Sequence, residues 1–180
     1  ATFFISTDFV QQMKSFWWDV IYRERIKQGA SLDLIRREQR TMKDNRYSEI
    51  EAYLIDSFGR DALLPINDLD RPFTPAELRE FADDPLVTLG NHTASHAILT
   101  NYSKAEMFTE IQAAQEGLWD ITGKVPVIIS YPNGNINQDV LSATIQTDLK
   151  LGITLIQEKN SLPIRFEGYS PYLLKRYFVY

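Results

Sequence analysis

From Thr74 onward the chain alternates short β-favouring runs with helices whose starts and stops are spelled out, and this rhythm leaves few folds open. Thr74-Pro75-Ala76-Glu77 supplies an N-cap, a proline at the first helical position and an early acidic residue. The helix it opens is expected to stop near Pro85. Leu86–Leu89 reads as a strand. Ser103-Lys104-Ala105-Glu106 is a capping box for a helix to about Thr122, closed by Gly123. Val127–Tyr131 is the next strand and Asn137–Lys150 the next helix, with further strands at Ile153–Ile156 and Leu174–Val179. Strands joined by helical crossovers pair in parallel. The predicted class is therefore α/β, as an open sheet or a barrel.

The first seventy residues read differently. ATFFIS is short, aromatic and β-favouring, and predicts a buried strand. Phe9, Met13, Phe16, Trp17, Val20, Ile21 and Ile26 recur at helical spacing and predict one helix ending near Gly29. Ser31–Lys43 reads as a mostly exposed helix, and Tyr47–Phe58 as a third, closed by Gly59. Residues 60–72 look like a loop punctuated by Pro65 and Pro72. One domain over residues 1–180 is expected, carrying a helical insertion at about 14–72. The sequence opens without Met, directly in the strand-like run, which predicts further residues upstream.

Charge and composition narrow the function classes. A net charge of −5 gives no basic footprint for nucleic acid and no polybasic patch for a membrane surface. With no cysteine, disulfides, thiolate nucleophiles and thiolate-bound zinc are excluded. No apolar run reaches the length of a membrane-spanning helix.

Against that background the stretch LGNHTASH stands out, because it holds both histidines of the chain, His92 and His96. They follow a predicted strand, and parallel α/β folds bind ligands at the C-terminal ends of their strands. If the pair formed a helical turn, both imidazoles would share one face and could bind a divalent metal such as zinc. Thr93 stands where a zinc-peptidase helix carries its glutamate, so that mechanism lacks its base, but Thr93 could orient the loop by a hydrogen bond. Solvent-facing imidazoles, or imidazoles bonded to backbone, are the competing account.

The second stretch, Ser130-Tyr131-Pro132-Asn133-Gly134-Asn135, also follows a strand. Its Pro, Asn and Gly permit a tight turn with positive φ, which can aim a backbone N–H at a developing oxyanion. An ordinary turn is the alternative. Trp17, Trp18 and Trp119 could stack on sugar rings or lie in the core. Arg23, Arg25, Arg36, Arg37 and Arg40 read as a solvated face.

Taken together, ATFFIS, LGNHTASHAILTNYS and ISYPNGN resemble the polysaccharide deacetylases, the chitin-deacetylase-like carbohydrate esterases. Phe16-Trp17-Trp18-Asp19, the long helical insertion, Leu151-Gly152-Ile153 and Leu174-Lys175-Arg176 are similar to the branch found with surface-polysaccharide assembly. The resemblance covers nearly all of the chain. It implies a distorted (β/α) barrel and a divalent metal, zinc first, held by Asp-His-His. In such enzymes the metal activates water against the carbonyl of an N- or O-acetyl group on a sugar, and a second aspartate is the base. By position, His92 and His96 match the metal ligands. Asn133 matches the residue whose backbone N–H lines the oxyanion site, with Tyr131 and Pro132 as its wall. An acetylated glycan is the implied substrate.

Three departures from the family pattern matter. The T-F-D-D-G strand carrying both family aspartates precedes A-T-F-F and is absent from these 180 residues, so the first barrel strand is missing. No third histidine exists to act as general acid. Ser130 replaces the arginine of R-P-P-Y-G. Two outcomes follow: these residues are part of a longer deacetylase, or a relative that binds a glycan or partner without hydrolysis. A metal-dependent amidase acting on a non-sugar bond fits the same chemistry.

Overall fold

The computed structural model describes residues 1–161, 163–164 and 168–177, and they divide into two compact units. The first comprises residues 1–7 and 76–180, the second residues 8–75.

The first unit is built on four parallel strands: β1 (Thr2–Ile5), β2 (Thr88–Asn91), β3 (Ile128–Ser130) and β4 (Leu151–Ile153). They lie in sequence order across the sheet, with Ile5 opposite Asn91, Asn91 opposite Ile129, and Ser130 opposite Ile153. Helices fall between them as expected: α5 (Pro75–Asp83) before β2, α6 (Lys104–Thr122) between β2 and β3, and α7 (Gln138–Ile145) between β3 and β4. The α/β class is borne out, with crossover helices joining parallel neighbours. In α6 the Ser103–Glu106 capping box forms, and Gly123 closes the helix in the left-handed conformation (φ 70°). The core gathers Leu99, Ile111, Ile129, Tyr131, Val140 and Leu149, all essentially sealed from solvent.

Several boundaries differ from expectation. β2 begins at Thr88, because Asp84 caps a turn by accepting from the Leu86 amide and leaves Leu86 exposed. β1 is buried only at its end, at Ile5: it has one neighbour among the described strands, and Phe3 packs edge-on against Phe81 while staying 41 % exposed. α7 stops at Ile145 rather than near Lys150. Thr147 Oγ1 donates to the Thr144 carbonyl there, tightening the chain into a turn. β4 begins two residues and ends three residues earlier than predicted. Of the last predicted strand, Leu174 bridges Ile153, whereas Phe178 and Val179 fall outside the described residues.

The second unit holds α1 (Thr7–Gln12) from Asp8 on, α2 (Trp17–Lys27), α3 (Leu32–Met42) and α4 (Tyr47–Phe58). The expected single helix over Phe9–Ile26 is two, broken at Met13 (φ 51°). The break lets Phe9 and Phe16 approach to 4.4 Å and gives the Ser15 amide to the Leu63 carbonyl. Trp17, Val20, Ile21, Ile35, Ile50 and Leu54 form its core.

Two of the arginines expected to face solvent do not. Arg23 meets Asp70, Ser15 Oγ and the Ala62 and Leu64 carbonyls, tying α2 to the chain beyond α4. Arg25 grips Glu38 with two bonds of 2.8 and 2.9 Å, while Tyr53 Oη donates to the same carboxylate at 2.5 Å. Arg36, Arg37 and Arg40 are exposed as expected.

Candidate functional site

Both sequence-predicted stretches emerge at the C-terminal end of the sheet. His92 is the first residue past β2, and its amide donates to the Ile5 carbonyl at the end of β1 (3.1 Å). Ser6 Oγ donates to the His92 carbonyl at 2.9 Å. At the end of β3, the Ser130 carbonyl lies 2.6 Å from His92 Nδ1. A carbonyl only accepts, so Nδ1 carries the proton and the Nε2 lone pair is left for another partner. Burial pulls the His92 pKa below its ordinary value. The Ser130 carbonyl opposes this and the positive charge of Arg176 reinforces it, with a net downward shift that keeps the ring neutral at pH 7.

His96 meets His92 with ring centroids 4.7 Å apart and planes at 81°. The predicted route to this proximity, a helical turn, is not the one taken. Residues 92–98 are an irregular loop, in which Thr93 (φ 60°) and His96 (φ 55°) both adopt the left-handed conformation. Each such non-glycine residue costs about 1 to 2 kcal/mol, so the surroundings must impose the shape.

Buried hydrogen bonds do so. The Thr93 amide donates to Asn91 Oδ1 (2.8 Å), and Thr93 Oγ1 accepts from the Ala97 amide (2.7 Å). Thr93 thus closes the loop on itself, and the bonds found for it run to backbone and to Asn91 rather than to an imidazole. Asn91 Nδ2 donates to the Ile111 carbonyl of α6 at 2.9 Å. The Ala94 amide donates to the Glu110 carbonyl, and the Ser95 amide and hydroxyl donate to the two Glu110 carboxylate oxygens at 3.0 and 2.9 Å.

The turn after β3 carries proline at its second position and Asn133 at its third with φ 56° and ψ 0°, the geometry of a type II turn. Gly134 N–H closes it onto the Tyr131 carbonyl at 2.9 Å. Asn133 Nδ2 donates to Asn135 Oδ1 (2.7 Å). Pro132 is buried. The Tyr131 side chain turns into the core, where its hydroxyl donates to the Tyr172 carbonyl (3.1 Å) and burial raises its pKa. It supports the turn from beneath. Gly152 makes room for it, since a Cβ there would sit 2.5 Å from the Tyr131 hydroxyl.

Sequence reasoning missed Asn91, Ser95 and Glu110. One signal was available for Glu110. It falls on the stripe marked by Met107, Ile111, Ala114 and Leu118, a lone acid on the apolar face of α6. Of the tryptophans, Trp17 lies in the helical core and Trp119 is 55 % exposed. Among the described residues no third His, Cys, Asp or Glu joins the histidine pair.

Comparison with known proteins gives the family and the fold. The polysaccharide deacetylase family model matches residues 1–152, and the chain belongs to that family. Its fold is similar to a polysaccharide deacetylase from Bacillus cereus at 20 % identity and a TM-score of 0.52, covering 72 % of this chain and 42 % of that one. It is also similar to a Streptococcus pyogenes deacetylase solved with acetate, at 21 % identity and 0.52, over 62 % of this chain and 46 % of that one. A Bordetella bronchiseptica deacetylase domain matches at 18 % and 0.50, over 63 % and 53 %. The chain therefore spans about half or less of these proteins. No curated protein matches it significantly.

Proposed function

We propose that the chain supplies the histidine loop and the oxyanion-side turn of a metal-dependent hydrolase that removes N- or O-linked acetyl groups from a polysaccharide or oligosaccharide. The observation that carries this reading is the histidine pair. Two rings meet at the C-terminal end of a parallel sheet, one of them fixed by Ser130 in the tautomer that leaves Nε2 to bind. Family membership supports the substrate class.

The two imidazoles suit a divalent cation, zinc before others, as two of its ligands. The family resemblance assigns the remaining protein ligand and the base to the T-F-D-D-G strand, outside these residues. A cation held there would supply Lewis acidity toward an acyl carbonyl and lower the pKa of a water beside it. The chain's own residues do the rest. His92 arrives neutral because it is buried, and so needs to lose no proton on binding. Thr93 keeps the loop closed. The Asn133 backbone N–H, next to buried Pro132, donates to the oxygen that gains charge. Tyr131 holds the turn from the core.

Zinc titration of the chain and of His92→Ala tests the ligand assignment: the variant should lose zinc retention, and undiminished zinc would falsify it. Acetate release from N-acetylated and O-acetylated oligosaccharides, measured on the protein with any residues preceding Ala1, tests the reaction and the linkage. Glycan binding that survives a chelator, with no acetate released, would favour a non-hydrolytic binder instead.

A further inference from the structure

We propose that Glu110 is the positioning residue of the histidine loop: its carboxylate, reaching out of α6, sets the backbone that brings His96 beside His92. The inference rests on the metal reading only for its second readout. Its basis is the bond pattern between the two left-handed residues. Thr93 fastens the start of the loop, but its bonds run to Asn91 and Ala97 and leave residues 94 and 95 to be fixed from elsewhere. Glu110 does this three times, through its own carbonyl to the Ala94 amide and through both carboxylate oxygens to Ser95. Ser95 immediately precedes His96, whose φ of 55° is not one a free chain would choose. Holding the Ser95 amide and hydroxyl together leaves little freedom for the next residue. Ser95 is buried, so losing the carboxylate strands a donor that water reaches poorly. Bonds to a carboxylate are also stronger and shorter than neutral ones, which suits a clamp that must offset backbone strain.

An acid on the apolar stripe of a core helix needs a reason to be there. Met107, Ile111, Ala114 and Leu118 use the same stripe to pack the core, and an uncharged residue at 110 would serve packing better. The bonds to Ser95 are that reason. Together with the Asn91 bond to the Ile111 carbonyl, they make α6 the template on which the loop is cast.

Three variants test the inference: Glu110→Ala, Glu110→Gln and, on the same helix but away from the loop, Glu116→Ala, whose carboxylate accepts from Gln112. The first readout needs no metal: nuclear Overhauser contacts between the His92 and His96 rings, with hydrogen exchange at the Ala94 and Ser95 amides. The second is zinc affinity by competition with a chromophoric chelator. Glu110→Ala is expected to lose the ring contacts, expose the Ser95 amide and weaken zinc binding about tenfold to a hundredfold, while the Ala94 amide keeps the backbone carbonyl of residue 110 and stays the better protected of the two. Glu110→Gln, which keeps one acceptor oxygen, should recover part of this, and Glu116→Ala should match the parent. If Glu110→Ala does not fold, Ser95→Ala takes its place and should loosen the ring contacts by losing only the hydroxyl bond. Intact ring contacts in a folded Glu110→Ala or Ser95→Ala protein would overturn the proposal. A parent chain that binds no zinc would overturn the metal reading alone, and the ring contacts would still decide the role of Glu110.

Discussion

In residues 8–75 the polar groups drawn into the fold are mostly charged, whereas around the histidine loop they are mostly amides and hydroxyls. Arg23–Asp70 and Arg25–Glu38 join helices and loop in the helical unit, each side chain less than a third exposed. In the sheet unit Ser6, Asn91, Thr93 and Ser95 are buried and act through neutral donors and acceptors, with Glu110 the one acid among their partners in the described residues. The difference teaches what each arrangement is for. Ion pairs join separate helices, where rough complementarity is enough. Short neutral side chains bonded to backbone fix dihedral angles, which is what a loop presenting two imidazoles needs.

The contrast is open to direct attack. The largest effect should come from the sheet unit's core. Tyr131→Ala removes a buried ring and is expected to cost about 3 to 5 kcal/mol in urea unfolding; a cost under 1 kcal/mol would show that the turn does not rest on it. Next is the helical unit. Arg23→Met leaves Asp70 without its cation in a largely buried setting, at an expected cost of about 2 to 3 kcal/mol once residual solvent exposure is allowed for. The Arg23→Met/Asp70→Asn double variant should recover part of that loss, and a double variant no better than the single would mean that packing rather than charge holds α2.

Acid should separate the two arrangements further. Burial alone pushes Asp70 and Glu38 up. At Asp70 the Asn67 and Ile66 amides and Arg23 outweigh it, and at Glu38 Arg25 and Tyr53 do, so both carboxyls titrate below their ordinary values when folded. Such groups contribute stability that is complete above the unfolded pKa and lost as pH falls through the folded one. The helical unit is therefore expected to weaken below about pH 4, followed by fluorescence of buried Trp17, and Asp70→Asn should flatten that slope.

The smallest expected effect is at the turn. Asn133→Ala keeps the backbone N–H that the proposed function invokes, but φ 56° adds strain of about 1 kcal/mol. Asn133→Gly should relieve it, and equal melting temperatures for the two would remove the strain argument. Asn133→Pro cannot adopt this φ and should abolish the turn.

Local chemistry alone specified much of this protein. Helix caps, glycine stops and strand-like runs depend on neighbours in sequence, so α4 and α6 fall where expected and the α/β class follows. The histidine and proline-turn motifs could be read for the same reason, since each is a contiguous string. Tertiary packing settled what depends on residues far apart. Phe9–Ile26 became two helices because Phe9 and Phe16 pack together across the break at Met13. Arg23 and Arg25 turned inward because Asp70 and Glu38, 47 and 13 residues away, were there to meet them. The imidazoles meet through left-handed backbone rather than a helical turn, because carbonyl and carboxylate groups on α6 make that conformation the lower in free energy.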